Sequence, residues 1–485
     1  MAPATALKMR IGGSDVASRK TYDKVDPVKG DVVAKIPDAS VEDARKAVDA
    51  AEKGFAAWSQ TPLSQRRQVL WKAAELLEAR AQDISATMIR ESGCTFGWGM
   101  FNTFFAASLL REAAASVTQI TGEVIPTDVP GLTAMSIRQP VGVVLGIAPW
   151  NAPVILGVRA VAMPLACGNA VIMKASEETP ITHRTIGEVL EEAGLPAGAI
   201  NVLTTSREGA APVVNALIAD PRVRRINFTG STKVGKLIAQ EAAKYLKPVL
   251  LELGGKAPQV VLEDADLDEA AAAANFGGFM HQGQICMATD RLVVQEKVLQ
   301  PFVAKLAARA GAMKVGDPSD QSTVIGAMIN TDSANRVRKL IKDAVAKGAK
   351  IALGGADGEG PIVHPTILTD VTPKMEIYHE EIFGPVLIVL KAKDDADAVR
   401  IANDTPYGLS AAVFSADINR AYGLAAQIQS GICHINSSTL YDEGQMPFGG
   451  VKESGYGRFG GKQAINEFTE TRWITIQSGH RHYPI

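Results

Sequence analysis

Cys286 sits in the run HQGQICMATDR (residues 281–291), where a polar, glycine-containing turn follows a helix of small residues. A cysteine reacts as the thiolate, which electropositive or helix-terminal surroundings favour. The same residue in a core is inert, and Cys94, Cys167 and Cys433 are read that way. Glu252 ends an apolar run before two glycines in LLELGGKAP (250–258). A carboxylate there is partly desolvated, which raises its pKa and makes it a candidate general base. Fully exposed on the last strand residue, it would be an ordinary acid. Asn151, in APWNAP (148–153), stands where a buried strand meets a helix. Its amide can donate to a developing oxyanion or cap the helix.

Two further segments suit a nucleotide. In NFTGSTKVG (227–235) a strand ends at Phe228, a Gly-Ser turn follows, and a helix begins near Thr232. Bare N–H groups at a helix start attract phosphate. The run is neither Gly-x-Gly-x-x-Gly nor a Walker loop, so it also reads as a plain strand–helix turn. KASE (174–177) places a cation and an acid at a sheet edge, which suits ribose hydroxyls or a surface ion pair. No metal site is expected: the seven histidines lack ligand spacing, and His480 and His482 lie in the tail. No Gly-x-Ser-x-Gly elbow occurs.

The chain that must position these groups has 485 residues, about three average domains. It is 46% hydrophobic and 21% charged, which argues against disorder, collagen and a disulfide scaffold. Fifty basic residues against fifty-two acidic ones leave a net charge of −2. Binding to nucleic acid or an anionic membrane by bulk charge is therefore not expected. Four cysteines cannot staple such a chain, so a reducing compartment, the cytoplasm, fits best. The first residues hold no apolar core of signal-peptide length. Gln139 to Met173 carries one charge, Arg159, and is long enough to span a bilayer. Its prolines and Asn151 favour buried strand, turn, buried helix and buried strand instead.

Residues 40–115 read as consecutive amphipathic helices, with Ser40 and Asp43 forming a capping pair and a break over Glu91–Gly99. Residues 120–140 read as an extended hairpin arm. Strands are expected at Val141–Ile147, Ala170–Met173, Ile200–Leu203, Arg224–Phe228, Val249–Leu253 and Gln259–Leu262, with helices between the first five. Thr179-Pro180 opens one of these and Gly194 ends it. Such alternation implies a parallel sheet with its ligand at the carboxyl strand ends. A second alternating region, 266–435, holds helices near 267–280, 298–311 and 331–347. Its strands include Val386–Leu390 and Ala411–Phe414. A Gly-rich run follows, then a β-like stretch at Arg472–Gln477.

Taken in order, PWN (149–151), KASE, FTGSTKVG (228–235), LELGG (251–255), GQIC (283–286), EEIFGP (380–385) and PFGG (447–450) closely resemble the NAD(P)-dependent aldehyde dehydrogenase superfamily. The likeness spans nearly the whole chain. It implies an α/β fold with a Rossmann-like cofactor domain (1–119 and 141–253) and an α/β catalytic domain (254–435). A small β oligomerisation arm (120–140 and 467–485) and a Gly-rich segment bordering the active site (436–466) complete it. A homodimer or dimer of dimers follows from the arm.

The resemblance implies that Cys286 attacks the aldehyde to form a thiohemiacetal, with Asn151 and the Cys286 N–H holding the oxyanion. Hydride then passes to the nicotinamide, and Glu252 activates water to release the acid. Lys174 and Glu177 would contact the adenosine ribose, Gly230 and Ser231 the pyrophosphate, and Glu381 the nicotinamide ribose. Phe383 would pack near the nicotinamide. Ile147, Pro149, Trp150, Ser176, Leu253 and Gly254 would complete the cofactor groove, with Lys174 also counted in the catalytic set. Glu252 implies hydrolysis rather than acyl transfer to coenzyme A. Glu177 repels a 2′-phosphate, so NAD is expected over NADP, a preference that can be leaky. Many relatives carry glutamate where Phe459 stands, which removes any proton-relay role there.

Trp98, Phe101 and Phe105 recur at helical spacing and can grip an aryl ring or pack as core. Arg159, alone in an apolar helix, needs a partner: a structural carboxylate, or a hydroxyl or carboxylate on the substrate. These segments resemble the branch acting on vanillin, salicylaldehyde and benzaldehyde. The substrate side would comprise Trp98, Phe101, Asn102, Arg159, Ile285, Met287 and Phe448. The alternatives are an aliphatic aldehyde or semialdehyde substrate, and a non-catalytic ligand-binding protein.

Overall fold

The computed structural model describes residues 5–485. Four helices precede the sheet that carries the site: α1 (Val41–Trp58), α2 (Leu63–Ala79), α3 (Ala81–Ser92) and α4 (Phe96–Ser116). Ser40 opens α1 with the expected capping box. Its hydroxyl accepts from the Asp43 N–H at 3.2 Å, and Asp43 accepts from the Ser40 N–H at 2.9 Å. The break before α4 is shorter than Glu91–Gly99. Gly93 ends α3 in the left-handed region (φ 68°), and Thr95 caps α4. Trp98 and Phe101 are thus already helical.

Five parallel strands follow: β1 (Val143–Ile147), β2 (Ala170–Lys174), β3 (Ile200–Leu203), β4 (Val223–Thr229) and β5 (Val249–Glu252). Their spatial order is β5-β4-β1-β2-β3. They alternate with α5 (Pro153–Ala166), α6 (Pro180–Glu192), α7 (Arg207–Ala219) and α8 (Thr232–Ala243). Every residue of β1, β2, β3 and β5 is buried, as sheets covered on both faces require. Two short edges were not expected. Met9–Ile11 runs antiparallel beside β3, and Gly455–Tyr456 beside β5. The second pairing sets Gly455 opposite Glu252 and so brings the Gly-rich segment to the carboxyl end of β5. The stretch 139–173 is β1, α5 and β2. Among the described residues no helix is long and apolar enough to cross a membrane.

A second sheet is built from β6 (Ala257–Val261), β7 (Thr289–Gln295), β8 (Thr366–Thr369), β9 (Val386–Ala392), β10 (Ser410–Phe414) and β11 (Ile432–Ile435), in order β8-β9-β7-β6-β10-β11. These six are parallel, with Lys350–Leu353 antiparallel at the β8 edge. Helix α9 (Leu267–Phe279) leads from β6 towards the Cys286 turn. Leu132–Pro140 pairs with Glu123–Ile125 and along its whole length with Thr469–Gln477, giving a separate three-stranded arm.

Candidate active site

The turn between α9 and β7 is sharp because three successive residues, His281, Gln282 and Gly283, take positive φ (48°, 56° and 67°). Two of them are not glycine, and such strain concentrates at sites where the surroundings over-determine the backbone. A Cβ on Gly283 would lie 2.3 Å from the Gly384 carbonyl, and one on Gly255 would lie 2.1 Å from the Cys286 carbonyl. Both glycines are therefore needed for the chain to pass. The turn delivers Cys286 half-buried, whereas Cys94 and Cys167 are fully buried.

Glu252, the last residue of β5, faces this thiol. It is 1% exposed, and neither carboxylate oxygen completes a hydrogen bond. Desolvation pushes its pKa up to about 7, against a smaller downward pull from the Cys286 thiol, Arg159 and Thr229. Burial likewise pushes the Cys286 thiol well above its ordinary value, and the negative charges of Glu252 and Glu381 add to the rise. The resting sulfur is therefore protonated, with a buried carboxylate opposite it.

Asn151 does not cap α5, whose cap position is Ala152. Its amide donates to the Gln284 carbonyl at 3.0 Å, and its own carbonyl accepts from the Trp98 indole N–H at 3.0 Å. Fixed from two sides, Asn151 borders the same cavity as Cys286 and keeps a second amide hydrogen.

That cavity is narrow, about 70 Å³, and mostly apolar. Trp98, Phe101, Arg159, Ile285, Met287 and Phe448 all line it, as expected from the sequence. Trp98 stacks on His281 (4.8 Å, 9°) and on Phe101 (5.5 Å), and Phe101 continues to Phe105 (5.7 Å). Asn102 is not on the wall; its amide donates to the Trp98 carbonyl one turn back along α4. Arg159 finds its partner in Asp442, at 2.6 Å, and lies 4.2 Å over the Phe448 ring. Phe459 is buried, with its backbone paired to that of Phe448.

The remaining predicted groups line the carboxyl ends of the first sheet. Lys174, at the end of β2, pairs with Glu177 at 3.2 Å and does not reach the Cys286 cavity. Glu177 borders a surface groove with Tyr22, Ser206 and Arg207. The Ser176 hydroxyl accepts from the Glu178 N–H at 3.2 Å. Ser231 caps α8, accepting from the Val234 N–H. The Gly230 N–H donates to the Glu252 carbonyl at 3.1 Å, which ties the turn before α8 to the end of β5. Ile147 ends β1, buried. Leu253 follows β5 and packs against Gly235, where a Cβ would come within 2.4 Å of it. Pro149 and Trp150 are half-buried, and Trp150 meets Phe383 edge-on at 5.7 Å and 87°. Glu381 accepts from the Gly255 N–H at 2.8 Å, close against Gly254, and desolvation lifts it to about 7.

Sequence reasoning missed Asp442, Arg207 and His281. Asp442 sits beside Glu443 in an ordinary polar loop, and only a contact across 283 residues distinguishes it.

A doubly wound sheet joined to a second α/β unit that presents a thiol opposite a buried carboxylate defines an oxidoreductase working beside a bound cofactor. The chain belongs to the aldehyde dehydrogenase family, whose model matches residues 15–474. A vanillin dehydrogenase of Pseudomonas fluorescens is 52% identical over 99% of both chains. The crystal structure of a salicylaldehyde dehydrogenase from Pseudomonas putida G7 complexed with salicylaldehyde superposes with a TM-score of 0.97, at 45% identity over 99% of this chain and 100% of that one. An E. coli NADP dependent enzyme superposes with a TM-score of 0.95, at 33% identity over 98% of each. The family uses NAD(P) as its cofactor.

Proposed function

We propose that this protein oxidises an aromatic aldehyde to the carboxylic acid with NAD, through a covalent adduct on Cys286. One observation carries the aromatic reading: the wall beside Cys286 is a continuous aromatic stack, Trp98, Phe101 and Phe105, faced by Phe448. Flat rings stack on such a wall at little entropic cost. The relatives named for vanillin and salicylaldehyde agree with it.

The residues divide the work. Glu252 takes the thiol proton as the sulfur adds to the carbonyl carbon. The second amide hydrogen of Asn151 and the Cys286 N–H hold the oxygen's new charge, where a low dielectric makes each bond strong. When bound, NAD supplies the acceptor for the hydride. Loss of that hydride leaves a thioester on Cys286. Glu252, once its first proton has gone to solvent, takes one from the water that attacks the thioester, and the acid leaves.

A dinucleotide fits the residues present: a carboxylate at the end of β2 for a ribose, the start of α8 for phosphate, and the Trp150–Phe383 edge near the thiol. Glu177 disfavours a 2′-phosphate. Arg207 in the same groove, the first residue of α7, offers a 2′-phosphate some compensation, so NADP use is weak rather than absent. The arm exposes Val124 (78%) and Trp473 (73%), apolar surface that suits a second copy of the chain and so a dimer or dimer of dimers. A cytoplasmic location is part of the same proposal.

The test mixes protein and NAD with vanillin, salicylaldehyde, benzaldehyde, succinic semialdehyde and hexanal, and follows NADH absorbance. Turnover concentrated on the aryl aldehydes is expected. Preference for hexanal or the semialdehyde would refute the aromatic reading while keeping the chemistry of Cys286.

A further inference from the structure

The cavity beside Cys286 is bordered by one buried acceptor that no group of the chain satisfies. Asp442 is nearly buried, its side chain 9% exposed, and it lines this cavity. Its Oδ2 accepts from the Arg159 guanidinium at 2.6 Å. Its Oδ1 is buried and has no partner. Of the other polar groups on the wall, Asn151 lies next to the sulfur, the Trp98 N–H is spent on the Asn151 carbonyl, and Arg159 donates to Asp442 and offers only donors, which leaves Asp442 Oδ1 as the acceptor. Buried acceptors are normally satisfied, and an exception needs an explanation. Arg159 lies over the Phe448 ring and is itself fixed, so the Asp442 carboxylate is held in place. The pair is also close to the reaction centre, since the charge of Asp442 is felt at Glu252 and that of Arg159 at both Glu252 and Cys286.

We propose that Asp442 is the specificity-determining residue for ring hydroxylation: its free Oδ1 accepts a hydrogen bond from the phenolic O–H of a hydroxylated aryl aldehyde. An ionised carboxylate accepts and never donates, so the group it selects is a donor. An ether at the same ring position has no proton to give. A carboxylate on the ring would meet a like charge. A bare ring would leave the buried Oδ1 without a partner. Arg159 acts behind Asp442, holding it in place rather than reading the ring itself. This rests on the aromatic reading of the cavity and deepens it.

The test compares kcat/KM for benzaldehyde, for the 2-, 3- and 4-hydroxybenzaldehydes and for their methyl ethers. In the wild type, one hydroxyl isomer is expected to exceed both benzaldehyde and its own ether by about tenfold to a hundredfold. In Asp442→Asn the amide oxygen can still accept from Arg159, while its NH2 replaces the open acceptor with a donor. Removing the charge felt at Glu252 changes the rate on all three substrates in common, so the ratios are read: the hydroxyl-over-ether and hydroxyl-over-benzaldehyde preferences at that ring position should collapse or reverse. A structural role alone would lower all three substrates together and leave their ratios intact, and that result overturns the proposal. Should Asp442→Asn fail to fold, the wild-type panel decides: no hydroxyl isomer exceeding both its ether and benzaldehyde overturns it. Benzaldehyde turnover without hydroxyl preference would sink this inference and spare the aromatic reading. Failure on every aryl aldehyde would sink both.

Discussion

Replacing Glu252 by Gln keeps the shape of the site and removes its base. In the wild type, burial lifts Glu252 to about 7. About a tenth of the molecules therefore carry the ionised base at pH 6 and about nine-tenths at pH 8. Turnover limited by thioester hydrolysis should rise about ninefold over that interval. In Glu252→Gln the steady rate should fall by about 10²- to 10⁴-fold, the usual worth of a placed general base. Hydride departure needs a thiolate but no water, so a single burst of NADH, one per site, should survive. The burst should be slower at neutral pH, because the thiol must ionise unaided, and should quicken as pH rises. Loss of the Glu252 charge lowers the thiol pKa, since that charge is one of the causes holding it up.

Stopped-flow NADH absorbance with a good aryl substrate gives burst amplitude, burst rate and steady rate together. Burial also lifts Glu381 to about 7, so a step near pH 7 in the variant's steady rate is assigned to Glu381, apart from the rise of the burst with thiol ionisation. Steady turnover with the wild-type rate and pH profile would refute the assignment, because another base would then be working. The same substitution has a signed effect on stability. A carboxyl raised on folding favours the folded state fully below its unfolded value near 4.5, and that contribution is lost as pH rises through about 7. Above that window Glu252→Gln should be more stable than the wild type by up to about 3 kcal/mol, and near pH 4 the two should agree. Denaturant midpoints at the two pH values check this.

Asn151→Ala should lower kcat by about 10²- to 10³-fold, the cost of one oxyanion donor, while NAD affinity by fluorescence titration stays put. Glu177→Ser should raise kcat/KM with NADP about tenfold by removing one partly screened like charge, and an unchanged NADP-to-NAD ratio would show that the groove does not read this position. Arg159→Leu strands Asp442 as a buried unpaired charge and should cost about 3–5 kcal/mol in urea unfolding. Adding Asp442→Leu should recover most of that loss, and no recovery would mean that the pair is not the source.

The strands of the first sheet were legible to within two residues because each is a short, continuous apolar run between Gly, Pro or polar turns. Val141–Ile147 begins at Val143, and Val249–Leu253 ends at Glu252. Met9–Ile11 and Gly455–Tyr456 were not, since two or three residues carry no period and their pairing is decided by the edges they meet. Cys286, Glu252 and Asn151 were legible as residue types at the ends of elements, and α4 as an aromatic stripe. What was hidden depends on distant partners. Asp442 is ordinary until Arg159 arrives from α5, and the Gly230 N–H looks free until β5 aligns beside β4. The thiol's surroundings were hidden for the same reason: local sequence placed a glycine-containing turn before Cys286 but could not place Glu252 and Glu381 around it.

Those surroundings bear on how the site is controlled. With the thiol well above 9 and Glu252 at about 7, moving the proton from sulfur to carboxylate is uphill. The thiolate paired with a protonated Glu252 is therefore the disfavoured resting form. The same desolvation that brings the carboxylate into the range of a useful base thus keeps the nucleophile dormant, and with it the oxidation to which exposed thiolates are prone. A bound carbonyl changes the balance, because the charge leaving sulfur appears on an oxygen that Asn151 and the Cys286 N–H can hold. Proton transfer and addition are then favoured together although the first alone is not. The cavity's apolar wall therefore contributes to reactivity as well as to fit: a wetter pocket would lower both values, leaving a readier thiolate opposite a weaker base.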